Sequence, residues 1–197
     1  MYRNLNDIGE IGGEKLLKDF GTLRAIREDE VELMRSWRNA PSVRANMYSR
    51  HEISEQEHRI WWERTKNDKS KKYFIYEMNN TPSGVVSFTY IDKVNKNSSW
   101  AFYAAPDSPR GTGTKMEFQA LEYVFSQMNF YKLYCEVLSS NMPVIRLHKK
   151  FGFQIEGVFR GHHMLSGNFI DIYRLGILAN EWGAKRNIMA AKIAAFR

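Results

Sequence analysis

The stretch Ser108-Pro109-Arg110-Gly111-Thr112-Gly113-Thr114-Lys115 sets the tightest limit on how this chain folds. A β-rich run, residues 98–104, leads into it. An amphipathic helix leaves it, with Phe118, Leu121, Val124, Phe125 and Met128 on one stripe. Two glycines at such a junction let the backbone turn tightly and approach a ligand closely. The first turn of the helix adds unpaired N–H groups and the positive end of its dipole. Together these bind phosphate. An ordinary loop before a helix shows the same local pattern, so the rest of the chain has to decide.

Before this loop the pattern alternates between helix and strand. Residues 22–27 read as a first strand. Asp29, with Glu32 three positions on, reads as the cap of a helix that turns Val31, Met34 and Trp37 to one side and ends ahead of Pro41. Residues 42–50 read as a connector. Ser54-Glu55-Gln56-Glu57 is a capping box for a second helix, with His58, Trp61, Trp62 and Thr65 on its stripe. Residues 73–78, 85–91 and 98–104 then read as an antiparallel meander, joined by turns over 79–84 and 92–97. Beyond the glycine loop, residues 132–139 form a strand whose faces alternate: Leu133, Cys135 and Val137 one way, Tyr134, Glu136 and Leu138 the other. Asn141 can cap the next helix, with Pro143 tolerated in its first turn and Gly152 ending it. Its inner stripe is Val144, Leu147, His148 and Phe151. Residues 154–163 and 169–179 read as a hairpin around Ser166-Gly167-Asn168. The expected organisation is a flexible extension over 1–20 with a short helix near 14–18, one domain over 21–180, and a basic helical tail over 181–197.

Charge narrows the partners. The chain of 197 residues carries a formal net charge of +7, which suits an anionic partner. No dense Lys/Arg block precedes the tail, so a small phosphorylated ligand ranks above nucleic acid. One cysteine, Cys135, excludes an internal disulfide and suggests a cytoplasmic setting. No apolar run approaches the roughly 20 residues of a membrane helix, and no signal peptide is apparent. His162 and His163 fall on opposite faces of one strand, and no metal site is expected.

Two segments resemble the GNAT superfamily of acetyl-coenzyme A-dependent N-acetyltransferases over about residues 22–178. Arg110-Gly111-Thr112-Gly113-Thr114 resembles the family's pyrophosphate loop, R/Q-x-x-G-x-G/A, with Lys115 where glycine or alanine is usual. Asn141-x-x-Val144-x-Arg146-Leu147-His148-x-Lys150-Phe151-Gly152-Phe153 resembles N-x-x-A-x-x-L-Y-x-K-x-G-F, with His148 in place of tyrosine. The resemblance implies an α+β fold: a twisted, mostly antiparallel mixed sheet of about seven strands, flanked by helices. Leu33-Met34-Arg35-Ser36-Trp37-Arg38-Asn39, Val43-Arg44, Met47-Tyr48, Ile53-Ser54 and His58 look like the front half of the flagellin-sugar branch. That branch acetylates the 4-amino group of a UDP-linked amino-dideoxy sugar in pseudaminic acid biosynthesis.

The resemblance implies acetyl-CoA as co-substrate. It would be held by Trp100, Ala101, Phe102, Tyr103 and Ala104, by Arg110, Gly111, Thr112, Gly113, Thr114 and Lys115, and by Asn141 and Arg146. Glu136 is the expected general base, its pKa raised by burial in the strand. His148 is the expected proton donor to the departing thiolate. A histidine limb in the pH profile would then lie well below that of a phenol donor. Ser87 could orient the amine. Arg38, Met47, Tyr48, His58, Trp61, Thr89 and Tyr90 would build the nucleotide-sugar pocket, with Arg38 on phosphate. Cys135 reads as packing. A homodimer is open. Two other readings stand: acetylation of a protein N-terminus or a polyamine, the latter disfavoured by the basic charge, and a catalytically silent acetyl-CoA-binding or nucleic-acid-binding module.

Overall fold

A computed structural model describes residues 20–195; the expected extension over 1–20 and its short helix lie, apart from Phe20, outside them. Seven strands form one sheet in the order β1-β2-β3-β4-β5-β7-β6. They are β1 (Thr22–Ala25), β2 (Lys72–Met78), β3 (Thr81–Asp92), β4 (Asn97–Ala104), β5 (Lys132–Leu138), β6 (Gln154–Leu165) and β7 (Asn168–Leu178). Every neighbouring pair is antiparallel except β4 and β5. The helices are α1 (Val31–Asn39), α2 (Pro41–Arg44), α3 (Glu55–Thr65), α4 (Thr112–Glu122), α5 (Met142–Phe151) and α6 (Ala179–Ala195). The sheet is the α+β arrangement expected.

Period-2 alternation splits each central strand between two cores. Val86, Phe88, Trp100, Leu133 and Cys135 face α4, α5 and α6 in the larger one. Val85, Ile75 and Tyr103 face α1 in a smaller one around Met34 and Trp37. The larger core includes the C-terminal helix: Trp182 is buried and packs edge-on against Phe118 at 5.3 Å and stacked on Phe151 at 6.1 Å. Residues 181–195 are therefore built into the domain, and the basic face of α6 is only its outer side.

Local signals were read with mixed accuracy. Ser54 Oγ does accept from the Glu57 N–H at 3.2 Å, but the Glu57 carboxylate turns away to His51. Asp29 caps nothing: a 3-10 turn over Glu28–Glu30 precedes α1, and the Glu30 carboxylate is held by Arg24 at 2.6 Å. The turn expected over 79–84 shrinks to Asn79-Asn80, both at positive φ, because β3 resumes at Thr81. Pro82 is tolerated there since the β2–β3 register shifts between Tyr76 and Glu77.

Candidate active site

The parallel pair β4–β5 is registered only at Asn97↔Lys132, Ser98↔Leu133 and Ser99↔Tyr134. Beyond Ser99 the strands diverge, and residues 100–104 pair only with β3. Side chains hold the split apart. Trp100 and Phe102 stack at 5.2 Å, and the His148 ring stands 5.3 Å from Trp100 and 5.1 Å from Phe153. The result is a cleft of about 390 Å³, lined by β4, β5, the start of α5 and the connector after α1. Two surface hollows elsewhere, at α3 and among lysines below β3, are larger but hold no comparable chemistry.

At the outer end of β4 the chain enters the glycine loop. Gly111 is left-handed, with φ at +93°, and stands just before α4. A side chain there would strain the backbone. Thr112 is buried, its hydroxyl donating to the Pro109 carbonyl at 2.7 Å. The N–H groups of Thr112, Thr114 and Lys115 close onto Pro109 and Gly111. Those of Gly111 and Gly113 meet no backbone acceptor among the described residues. A Cβ on Gly113 would lie 3.3 Å from the Phe102 ring, so the loop rests directly on β4. Free N–H groups at a helix start, a left-handed glycine and a tight fit at Gly113 suit a pyrophosphate. Arg110 and Arg146 are exposed, while Lys115 Nζ touches the Met78 sulfur at 3.6 Å. Asn141 precedes α5 without capping it through its side chain, and it lines the cleft.

His148 lines the cleft from α5 and is almost wholly buried. Its Nδ1 lies 2.9 Å from Oε1 of Glu117, a carboxylate with no solvent exposure. Glu117 escaped the sequence reading, although the signal was present: it sits four positions before Leu121 and seven before Val124, on the buried stripe. Burial pulls the His148 pKa down; the Glu117 carboxylate and the Cys135 sulfur outweigh it and push it up to about 10. Burial likewise raises the Glu117 carboxyl, against the pull of His148. The two shifts describe one proton shared by a pair that is neutral overall. The expected separation between a histidine and a phenol limb therefore closes. Cys135 is buried and free, and it lines the cleft.

Glu136 lines the cleft from the opposite face of β5 and is exposed, which corrects the expectation that it is buried in the strand. Its Oε1 pairs with Arg174 Nη1 at 3.1 Å, and Arg174 lies 3.7 Å above the Tyr134 ring. The Tyr48 hydroxyl reaches toward Oε2 at 3.4 Å, and burial together with Glu136 pushes its pKa up to about 12. Met47 and Tyr48 both line the cleft.

Other expected residues lie elsewhere. Ser87 Oγ donates to the Ala101 carbonyl at 3.2 Å inside the sheet. Thr89 and Tyr90 sit at the irregular far end of β3, one strand from the split, and Tyr90 is exposed. His58 is buried between α3 and α1, stacked on Trp61 at 4.9 Å. Trp61 packs edge-on against Tyr73 at 5.1 Å. Arg38 is half-buried behind the connector: Nη2 donates to the Ser49 carbonyl and hydroxyl, both at 2.9 Å, and Nη1 has no partner among the described residues. Among the described residues, no group of three His, Cys, Asp or Glu could hold a metal ion, and no helix is long and apolar enough to cross a membrane.

With this geometry in place, comparison with known proteins is informative. The family model for the acetyltransferase (GNAT) domain matches residues 22–154. The spermidine N(1)-acetyltransferase of Escherichia coli K12 is 26% identical over 120 residues, 60% of this chain and 64% of that protein, so the chain spans slightly under two thirds of it. Acetyltransferase PseH of Campylobacter jejuni is 28% identical over 139 residues, 71% of this chain and 84% of that protein. In three dimensions the chain is similar to spermidine N-acetyltransferase from Vibrio cholerae, solved in complex with CoA and spermine. That structure has a TM-score of 0.76 at 22% identity, covering 82% of this chain and 96% of that one.

Proposed function

The chain belongs to the acetyltransferase (GNAT) domain family, acyltransferases that draw acetyl from acetyl-CoA, and from that premise we propose that it acetylates a primary amine carried on an anionic small molecule, a UDP-linked amino sugar. The charge of the cleft carries this reading. Glu136 is the only carboxylate among the lining residues, and it is already paired with Arg174. A polycation would find one occupied partner. Behind the connector that borders the cleft, by contrast, stand cations short of anions. Burial lowers the Arg38 pKa, and neighbouring Arg44 lowers it further. Arg38 Nη1 and Arg50 Nε are both buried without acceptors among the described residues. A phosphate would answer such donors.

Acetyl-CoA supplies the acyl group as a thioester. The backbone of residues 100–104, free of a partner on the cleft side, would hold its pantetheine arm, and Gly111 and Gly113 its pyrophosphate. Glu136 takes the proton from the attacking amine, directly or through a water. His148 gives a proton to the departing sulfur. Met47 and Tyr48 bound the acceptor side. Polyamine acetylation is the second reading, motivated by the named activity of the E. coli relative. A panel of UDP-amino sugars, peptides and spermidine, assayed with acetyl-CoA by thiol release and product mass, separates the two. The expected result is the highest kcat/KM on a UDP-amino sugar; a higher value on spermidine overturns it.

A further inference from the structure

Glu117 is a buried charged group that the reaction above does not use. It is fully buried on α4, among Ala120, Leu121 and Val124, where packing alone calls for an apolar residue. One oxygen, Oε2, has no partner among the described residues, and the other lies 2.9 Å from His148 Nδ1. Removing a carboxylate from water is costly unless it is paired or used.

We propose that Glu117 is a positioning residue for the transfer, fixing the His148 ring so that its far nitrogen, Nε2, always carries a hydrogen on the cleft side. This rests on the acetyltransferase reading above. The pair holds one titrating proton between Oε1 and Nδ1. If that proton sits on the ring, both ring nitrogens bear hydrogen. If it sits on the carboxyl, Nδ1 accepts, and the neutral ring must keep its single hydrogen on Nε2. Nε2–H is present either way. Only loss of the shared proton frees Nε2, and that leaves a net negative charge among Trp100, Phe102 and Phe153. The charged or titratable groups facing the ring are Glu117 from α4 and Cys135 from β5; Glu136 lies on the other face of β5. Without Glu117, burial would act on the ring against Cys135 alone. It would be neutral near pH 7, free to choose either tautomer, with no proton to release. In the transfer step the Nε2–H bond breaks, an S–H bond forms on the departing thiolate, and the ring is left neutral with Nδ1–H on the Glu117 carboxylate.

The test pairs NMR with kinetics. Imidazole ¹⁵N shifts of unliganded wild type should show His148 Nε2 protonated from about pH 6 to 9, far above an ordinary histidine midpoint. Glu117→Gln should lower kcat about 100-fold, the scale of a positioned acid. Both KM values should hold, and the alkaline limb of kcat should move below neutrality. Glu117→Leu should raise Tm while losing the same activity, which a structural role would not do. In a His148→Phe background, Glu117→Gln should cost nothing further. A wild-type His148 that titrates near its ordinary value or carries its hydrogen on Nδ1 overturns the proposal. So does a Glu117→Gln enzyme with unmoved kcat and limb, or an equal loss in both backgrounds. The wild-type NMR result stands even if a variant fails to fold. If no amine on the panel is acetylated, the acetyltransferase reading fails, while the ring measurement still reads the dyad.

Discussion

Arg38→Met gives opposite signs for the two acceptor classes. Methionine keeps the aliphatic stem and removes the guanidinium. The two bonds to Ser49 are exposed, so the stability cost should be about 1 kcal/mol or less. The buried, unpaired Nη1 is the group at stake. A hydrogen bond to a charged group is worth about 1.5–3 kcal/mol, so losing it against a phosphate should raise the KM of a UDP-amino sugar about 10- to 100-fold. The kcat should change little, since Arg38 is remote from the reacting atoms. For a polyamine the same cation is repulsive. At about 8 Å and an effective dielectric near 20 the Coulomb term is at most about 2 kcal/mol, and Arg38 is half exposed to screening. Its removal should lower the spermidine KM about three- to tenfold. Steady-state kinetics on both acceptors at saturating acetyl-CoA, with Tm as a control for folding, reads both signs. A UDP-sugar KM that stays within about threefold, the scale of a bond worth less than about 0.7 kcal/mol, refutes the anion argument. A spermidine KM that rises does the same.

Gly113→Glu places a side chain 3.3 Å from Phe102 and an anion at the start of α4; the acetyl-CoA KM should rise at least about tenfold, and an unchanged KM would move the pyrophosphate elsewhere. Glu136→Gln should lower kcat about 100-fold with both KM values held, whereas a loss below about threefold would assign the amine proton to another group or to bulk water. Trp182→Ala removes a buried ring that packs on Phe118 and Phe151 and donates to Glu122 at 3.0 Å. Urea unfolding should register a loss of about 3–5 kcal/mol; under about 1 kcal/mol, α6 would not be part of the core.

The glycine loop, the stop at Gly152 and the Ser166-Gly167 turn were legible because each has a local cause: a backbone conformation or a helix terminus that few residues satisfy. The residues read at the cleft follow the same rule. β4, Glu136, His148, Met47 and Tyr48 do meet there. Ser87, Thr89, Tyr90, His58 and Trp61 do not. Alternation along β3 tells which face Ser87 and Thr89 occupy, but not how far β3 lies from the split. Helical spacing put His58 and Trp61 on one stripe, yet it cannot say whether that stripe meets a ligand or α1 and β2. For His58 the answer is α1. Glu117 was missed for the opposite reason: a charge on an apolar stripe was passed over, when its position alone marked it as buried.

Cys135 and Glu136 show why strand alternation needs the sheet's geometry beside it. Their side chains leave β5 on opposite faces, which argued that only one of them could matter to a site. That inference holds for a closed sheet. Here β5 has lost its β4 partner beyond Ser99, so the cleft passes through the sheet instead of lying on it. Both faces of β5 then border the same space. Glu136 looks toward the α1 side, where the connector with Met47 and Tyr48 offers room for an acceptor. Cys135 and His148 look toward the α4 side, where Glu117 is buried. In the proposed reaction, a proton is removed on one side of the sheet and supplied on the other, with the reacting atoms between them. The two sides also differ in solvation: Glu136 is exposed, and His148 is buried among aromatic rings. A base that must exchange its proton with water and an acid that must keep its proton until the thiolate leaves need those two environments. The split between β4 and β5 supplies both within one cleft.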